Sequence, residues 1–344
     1  MNTTTIILSS AAIILSGCMG GQAVRKPFQM QPGDTIAFVA PARSQTAERI
    51  AAGANGLKEQ GYTVVYQPNL ETRFRGFLNA PDDERARLFI EAFKDPEVDA
   101  VFPVAGGYTS ARLLDLLDYE TIRKNPKPLI GYSDITALHL ALYSRAGIVT
   151  FHSPFPTYSY FGDGDKSFAI DHFWAVLESG PEAYPLTLPL RAPAVPVETF
   201  RPGTAIGPLV GGNLSLIHAL HGTPYQIPTK GHLLFLEEIG EDPYRIDRML
   251  FQLQQSGALD EVAGVILGQF KNCETNDPER SHTLRQVFED HFSNRPYPVI
   301  MNFPVGHVIE NVTLPIGISA ELDADAGTVT LLEAPVNYRN AKNK

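Results

Sequence analysis

Ser133 lies in the run Pro128-Leu129-Ile130-Gly131-Tyr132-Ser133-Asp134-Ile135-Thr136-Ala137-Leu138-His139. This predicts a short buried strand, a sharp turn at Gly131–Ser133 and a helix with apolar residues at helical spacing. A serine there stands at the end of a sheet and just ahead of a helix N-terminus. Free backbone N–H groups and the positive end of the helix dipole favour an anion beside its hydroxyl. Acyl transfer needs that setting, because attack by a hydroxyl builds an oxyanion on the neighbouring carbon. The same residue serves equally well as a plain helix N-cap.

A nucleophilic serine needs a base, and the base needs an orienting group. Nine histidines are available. His139 follows Ser133 on the predicted helix and reads as packed. His218 and His221, one turn apart, have metal-ligand spacing but no third ligand close in sequence. His307 lies in Asn302-Phe303-Pro304-Val305-Gly306-His307-Val308-Ile309-Glu310-Asn311, a loop shaped by Pro and Gly, where catalytic side chains concentrate. For the orienting acid, Leu233-Leu234-Phe235-Leu236-Glu237-Glu238 ends an apolar strand in two carboxylates. That is a site position in α/β architecture, or simply a solvated strand end. Gly106-Gly107 follows another strand and lets backbone approach a ligand closely, as half of an oxyanion hole or as an ordinary turn. Gly211-Gly212-Asn213 has the same character, and neither matches a dinucleotide or P-loop fingerprint. Arg73, Arg75 and Arg112 are candidates for holding a substrate carboxylate.

Strands at Thr35–Ala40, Tyr62–Tyr66, Ala100–Val104 and Leu129–Gly131 alternate with helices at Thr46–Gln60, Asp82–Lys94, Ser110–Leu117 and Thr136–Ala146. This predicts an α/β fold whose N-terminal domain (residues 34–170) holds a parallel, Rossmann-like sheet. Residues 171–204 belong to a proline-rich stretch that reads as a linker. Residues 205–340 form a second, mixed α/β domain. Its strands are expected at Leu233–Leu236, Val262–Leu267, Ile316–Leu322 and Thr328–Leu332, and its helices at Leu214–Leu220, Arg245–Gln255 and Leu284–Phe292.

The chain of 344 residues is 44% hydrophobic and 19% charged, fitting a globular protein with a sizeable core. Its net charge of −10 argues against non-specific nucleic-acid binding. Residues 1–17 hold an apolar stretch, Ile6–Leu15, too short to span a bilayer. Leu15-Ser16-Gly17-Cys18 follows and resembles a bacterial lipoprotein signal in which Cys18 is lipidated. Residues 18–33 then form a tether. Met1–Thr5 contains no Lys or Arg, so the α-amino group alone supplies the positive n-region. The expected location is periplasmic, membrane-anchored through the lipid, or else soluble in the periplasm. The only other cysteine, Cys273, reads as an inert thiol.

Taken together, several blocks resemble the LD-carboxypeptidases, the serine peptidases that include murein tetrapeptide carboxypeptidases and microcin-immunity peptidases. The blocks are Pro103-Val104-Ala105-Gly106-Gly107-Tyr108, Leu129–Thr136, Leu209-Val210-Gly211-Gly212-Asn213-Leu214-Ser215, Phe235–Glu238, Pro243-Tyr244-Arg245-Ile246-Asp247-Arg248-Met249-Leu250 and Pro304–His307. They run in family order from about residue 30 to 335. The resemblance implies Ser133 as nucleophile, Glu237 as orienting acid and His307 as general base. Backbone N–H groups of Gly107 and Asp134 would form the oxyanion hole, without metal or cofactor. It also implies a cleft between the two domains and a homodimer. The implied reaction releases terminal D-alanine from peptidoglycan tetrapeptide stems. Another serine hydrolase, or a non-catalytic muropeptide-binding lipoprotein, is the alternative.

Overall fold

The computed structural model describes residues 24–339, so Cys18 and the signal-like segment lie outside the described residues. The first unit runs β1 (Thr35–Val39), α1 (Ala47–Glu59), β2 (Thr63–Tyr66), α2 (Asp82–Lys94), β3 (Ala100–Pro103), α3 (Tyr119–Lys124), β4 (Ile130–Gly131), α4 (Thr136–Ala141), β5 (Thr150–His152), α5 (Pro156–Ser159) and α6 (Ser167–Leu177). Helix α2 shows how composition sets these elements. Asp82, Asp83 and Glu84 fill its first turn, where the dipole favours anions, and Ala86, Phe89 and Phe93 bury its inner face. Strands β2, β1 and β3 pair in parallel. A parallel bridge between Val101 and Leu129 carries the sheet on to β4 and β5. The strand order 2-1-3-4-5 is that of a doubly wound sheet.

The second unit adds β6 (Leu186–Leu188), β7 (Glu198–Arg201), β8 (Thr204–Asn213), α7 (Leu214–Leu220), β9 (Leu233–Ile239), α8 (Pro243–Gln255), β10 (Gly264–Lys271), α9 (Leu284–Phe292), β11 (Val299–Met301), β12 (Leu314–Ile316), β13 (Ser319–Asp323) and β14 (Thr328–Leu331). Among the described residues its sheet has the order β6-β14-β13-β8-β9-β10-β11-β7. The stretch β8-β9-β10-β11 is parallel, and the flanking pairs are antiparallel. Both units are thus α/β.

The structure differs from the sequence reading in four places. The segment 171–204 is built into the fold. Most of α6 falls within it, and β6 and β7 form the two edges of the second sheet. Strands between prolines survive at edges because a missing N–H there breaks no inner ladder. The expected strand Ile316–Leu322 is two strands parted at Gly317, where φ is +89°. This break lets β12 pair antiparallel with β5 of the first sheet while β13 pairs with β8 of the second. The expected helix Thr136–Ala146 is α-helical to Ala141 and then widens into a π turn over Leu142–Ala146. The described end of the tether is laid against the body: Arg25 N–H donates to the Gly147 carbonyl (2.7 Å) and Gln29 N–H to that of Asn337 (2.8 Å). No helix among the described residues is long and apolar enough to cross a membrane.

Candidate active site

Gly106, Gly107, Ser133, Glu237 and His307 lie at or just beyond the C-terminal ends of parallel strands in the two sheets, as expected for open α/β sheets. Ser133 follows β4 directly and has φ +59°, in the left-handed region that side chains other than glycine rarely adopt. Such strain is held where surrounding structure over-determines it. Two anchors do so here. His139 Nε2–H donates to the Gly131 carbonyl (2.8 Å) from within α4, tying the strand end to the helix. Behind the turn, the Asp134 carboxylate accepts the backbone N–H groups of Thr109 (3.0 Å) and Ser110 (2.9 Å). Ser110 Oγ returns a bond to the Asp134 carbonyl.

The Asp134 side chain has a structural role of its own. It fastens the Gly106–Gly107 loop to the serine turn. Burial pushes its carboxyl above the usual range, against the pull of those N–H donors. Buried Arg85 braces the same loop, donating to Thr109 Oγ1 and to the Pro41 carbonyl. The side of Gly106 that lacks a Cβ faces the serine: a Cβ there would lie 3.1 Å from Ser133 Cβ, 3.2 Å from Ser133 Oγ and 3.5 Å from Asp134 N. Gly107, at φ +151°, turns its bare side instead toward Phe77 and Arg43.

Glu237 and Glu238 sit on the central strand β9, both buried, and point to opposite faces because strand side chains alternate. Glu237 Oε2 accepts from His307 Nδ1 at 2.7 Å. With Nδ1–H committed to a carboxylate, Nε2 is the ring nitrogen left to accept a proton. Glu238 has a structural task. It accepts from Asn213 Nδ2, Ser215 N and Ile239 N, each at 2.8 Å, and so holds the start of α7. Burial raises its carboxyl as well.

The His307 loop is placed by three contacts. Gln269 N–H donates to the Val305 carbonyl (2.8 Å), and Asn311 brackets Gly306 through both its amide oxygen and nitrogen. Gly306 is at φ +135°, and a Cβ on it would lie 3.1 Å from Glu237 Cβ. Only glycine lets the histidine loop come this close to the acid.

The two units meet at this point. Thr136 Oγ1 accepts the Asn213 N–H across the boundary at 3.0 Å. The Tyr132 ring, next to Ser133, packs on the His307 ring with centroids 4.8 Å apart. Tyr132 also touches Phe155, and His152 lies beneath both Tyr132 and Phe235. Burial holds His152 well below the ordinary imidazole range and His139 down at about 4, so both are neutral packing residues. Asp134, Asn311, Tyr132 and Thr136 were not singled out for their side chains, because their partners lie too far along the chain for spacing to reveal.

The remaining candidates fall elsewhere. Arg112 is tied to Asp82. Arg75 lies over Phe74. Arg73 lines a neighbouring cavity of about 480 Å³ with Arg43 and Phe77. Cys273 is buried, which pushes its thiol up to about 11. His218 and His221 close α7, and among the described residues no cluster of three metal-ligating side chains is assembled. Beside His307 and Tyr132 opens a cavity of about 430 Å³.

Family models match both units: the LD-carboxypeptidase N-terminal domain over residues 36–153 and the LD-carboxypeptidase C-terminal domain over residues 206–322. A probable murein peptide carboxypeptidase of Bacillus subtilis is 36% identical over 312 residues, covering 91% of this chain and 95% of that protein. A murein tetrapeptide carboxypeptidase of Pseudomonas aeruginosa is 28% identical over 86% of this chain and 95% of its own length. The crystal structure of a muramoyltetrapeptide carboxypeptidase from Oxalobacter formigenes matches with a TM-score of 0.76 and 30% identity, over 89% of this chain and all of that one.

Proposed function

The chain belongs to the LD-carboxypeptidase family, and on that premise we propose a Ser133–His307–Glu237 mechanism that releases the terminal D-alanine of peptidoglycan tetrapeptide stems by cutting an L,D bond. It is a serine carboxypeptidase with a peptidase role on peptidoglycan peptides. The observation that carries the finer reading is the bond from His307 Nδ1 to the buried Glu237, with the imidazole packed against the residue next to Ser133.

In this reading His307 Nε2 takes the Ser133 proton as Oγ attacks the scissile carbonyl, then passes it to the leaving amine of D-alanine. Glu237 keeps the ring in the accepting tautomer and stabilises the imidazolium. The backbone N–H groups of Asp134 and Gly107 stabilise the oxyanion, each by about 3–4 kcal/mol in comparable acyl-transfer sites. Water on the same base releases the acyl group and regenerates Ser133. The test is mass spectrometry of a purified disaccharide tetrapeptide before and after incubation. Wild-type protein is expected to convert it to tripeptide with release of one alanine. Ser133→Ala is expected to leave it intact, and turnover by that variant at the wild-type rate would sink the mechanism.

We also propose that Cys18 is lipidated and anchors the enzyme on the periplasmic side of a membrane. The small residues ahead of Cys18 support this. Labelled palmitate should enter the wild-type protein and not Cys18→Ala. A homodimer is proposed on the family resemblance. Tyr244 and Phe251, exposed one heptad apart on α8, offer an apolar strip for it, and sedimentation velocity of the purified protein tests it.

A further inference from the structure

The cavity beside His307 is cationic although the chain is acidic. Arg49, Lys166 and Lys271 line it, with Asp163 as its acidic member. Lys166 caps its own loop, donating to the Phe161 and Gly162 carbonyls. Arg49 is held differently. Its guanidinium lies over the Tyr158 ring at 4.4 Å and over the Phe161 ring at 4.8 Å. Tyr158 is itself fixed, because Arg43 Nη2 donates to its hydroxyl at 2.7 Å. Among the described residues no carboxylate pairs with Arg49. A guanidinium so placed is orientated by aromatic faces while its N–H fork stays open to a ligand.

We infer that Arg49 is the receptor for the free terminal carboxylate of the leaving residue, with Tyr158 as its positioning residue. The inference rests on the peptidase reading above and adds the group that makes the enzyme an exopeptidase. The argument is one of reach. His307 must protonate the leaving amine, so the leaving residue occupies the His307 side of the cleft. A terminal residue carries its carboxylate only two bonds from that amine. Arg49 lines the same cavity as His307 and Tyr132. A planar guanidinium matches a carboxylate through two parallel N–H···O bonds, which a lone lysine ammonium does not reproduce. Arg112, by contrast, already carries a carboxylate partner in Asp82.

The test compares the tetrapeptide ending in free D-alanine with the same peptide ending in D-alanine amide, for wild type, Arg49→Gln and Arg49→Lys. Wild type should prefer the acid by about 10- to 100-fold in kcat/KM, the usual range for a hydrogen bond to a charged group. Arg49→Gln should lose most of that preference by slowing the acid alone, with the amide changed less than about two-fold. Arg49→Lys, which keeps the charge and is the fallback if the Gln variant does not fold, should retain part of the preference. An unchanged acid-to-amide ratio in the variants, or an equal loss on both substrates, overturns the inference while leaving the peptidase reading intact. Wild-type protein that cleaves neither peptide overturns the reading beneath it.

Discussion

His307 Nδ1 stands 2.7 Å from Oε2 of Glu237, a carboxylate with no solvent exposure on a central strand. The pairing leaves Nε2 as the uncommitted ring nitrogen, and in the proposed mechanism Glu237 acts by tautomer and charge rather than by contact with substrate. Glu237→Gln keeps the size and the strand but presents an amide that can reverse the ring's hydrogen bonding. We expect kcat to fall by about 10³–10⁴-fold with little change in KM, the size of effect seen when a triad acid is neutralised. Retention of more than a tenth of wild-type kcat would remove Glu237 from the mechanism.

Gly106 gives a sharper test of the space beside Ser133, the proposed nucleophile. An added methyl would sit 3.1–3.2 Å from Ser133 Cβ and Oγ, tighter than ordinary contact and on the side shared with the Asp134 N–H. Gly106→Ala should crowd the position the attacked carbonyl must take, and kcat/KM should drop by about 100-fold or more. The melting temperature should move by only a few degrees, since the neighbour to be displaced is one small side chain. A large loss of stability with activity per folded molecule preserved would contradict this placement.

Asp134 links the Gly106–Gly107 loop to the Ser133 turn. Asp134→Ala strands the Thr109 and Ser110 N–H groups in a buried setting, at a cost of about 1–3 kcal/mol for each unsatisfied donor. Asp134→Asn keeps an acceptor oxygen for both. The Ala variant should therefore be less stable and less active than the Asn variant, by urea titration and by tripeptide release. Equal behaviour of the two would show that the loop is held by other contacts.

The order of strands and helices in the first unit is readable because each boundary carries its own signal, such as Gly61 after α1 or the acidic triplet opening α2. Ser133, Glu237 and His307 stand out for the same local reason, each at a strand end or a glycine-shaped loop. What escapes sequence reading is long-range. Strand β12 completes the first sheet from 162 to 166 residues downstream of its partner β5, since Leu314 pairs with His152 and Ile316 with Thr150. Three-residue strands buried on both faces have no alternation to detect. Strands β6 and β7 are half exposed and framed by prolines, and they look like linker until a sheet edge is there to receive them. The side-chain role of Asp134 depends on a loop 25 residues away, a separation set by the sheet and not by any local period.

The buried histidines set a pH limit on the fold. His139 donates from Nε2 to the Gly131 carbonyl, while Nδ1 is buried without a partner. Burial lowers its pKa from 6.5 to about 4. Between those values the unfolded chain binds a proton that the folded chain refuses, so stability rises with pH across this window and is lost as pH falls from about 6.5 toward 4. His152 is shifted in the same direction, by burial first and then by its histidine neighbours, and adds to the loss. The His139 share is roughly 3 kcal/mol, taking about 1.4 kcal/mol per pKa unit. His139→Gln retains an N–H donor for Gly131 and cannot titrate. Its unfolding free energy, measured in urea at pH 7.5, 6, 5 and 4.5, should decline less steeply than that of wild type, with the two curves converging toward the acid end. Parallel curves would mean that His139 is solvated or protonated in the folded protein, and the packing that holds Gly131 beneath Ser133 would have to be reassigned.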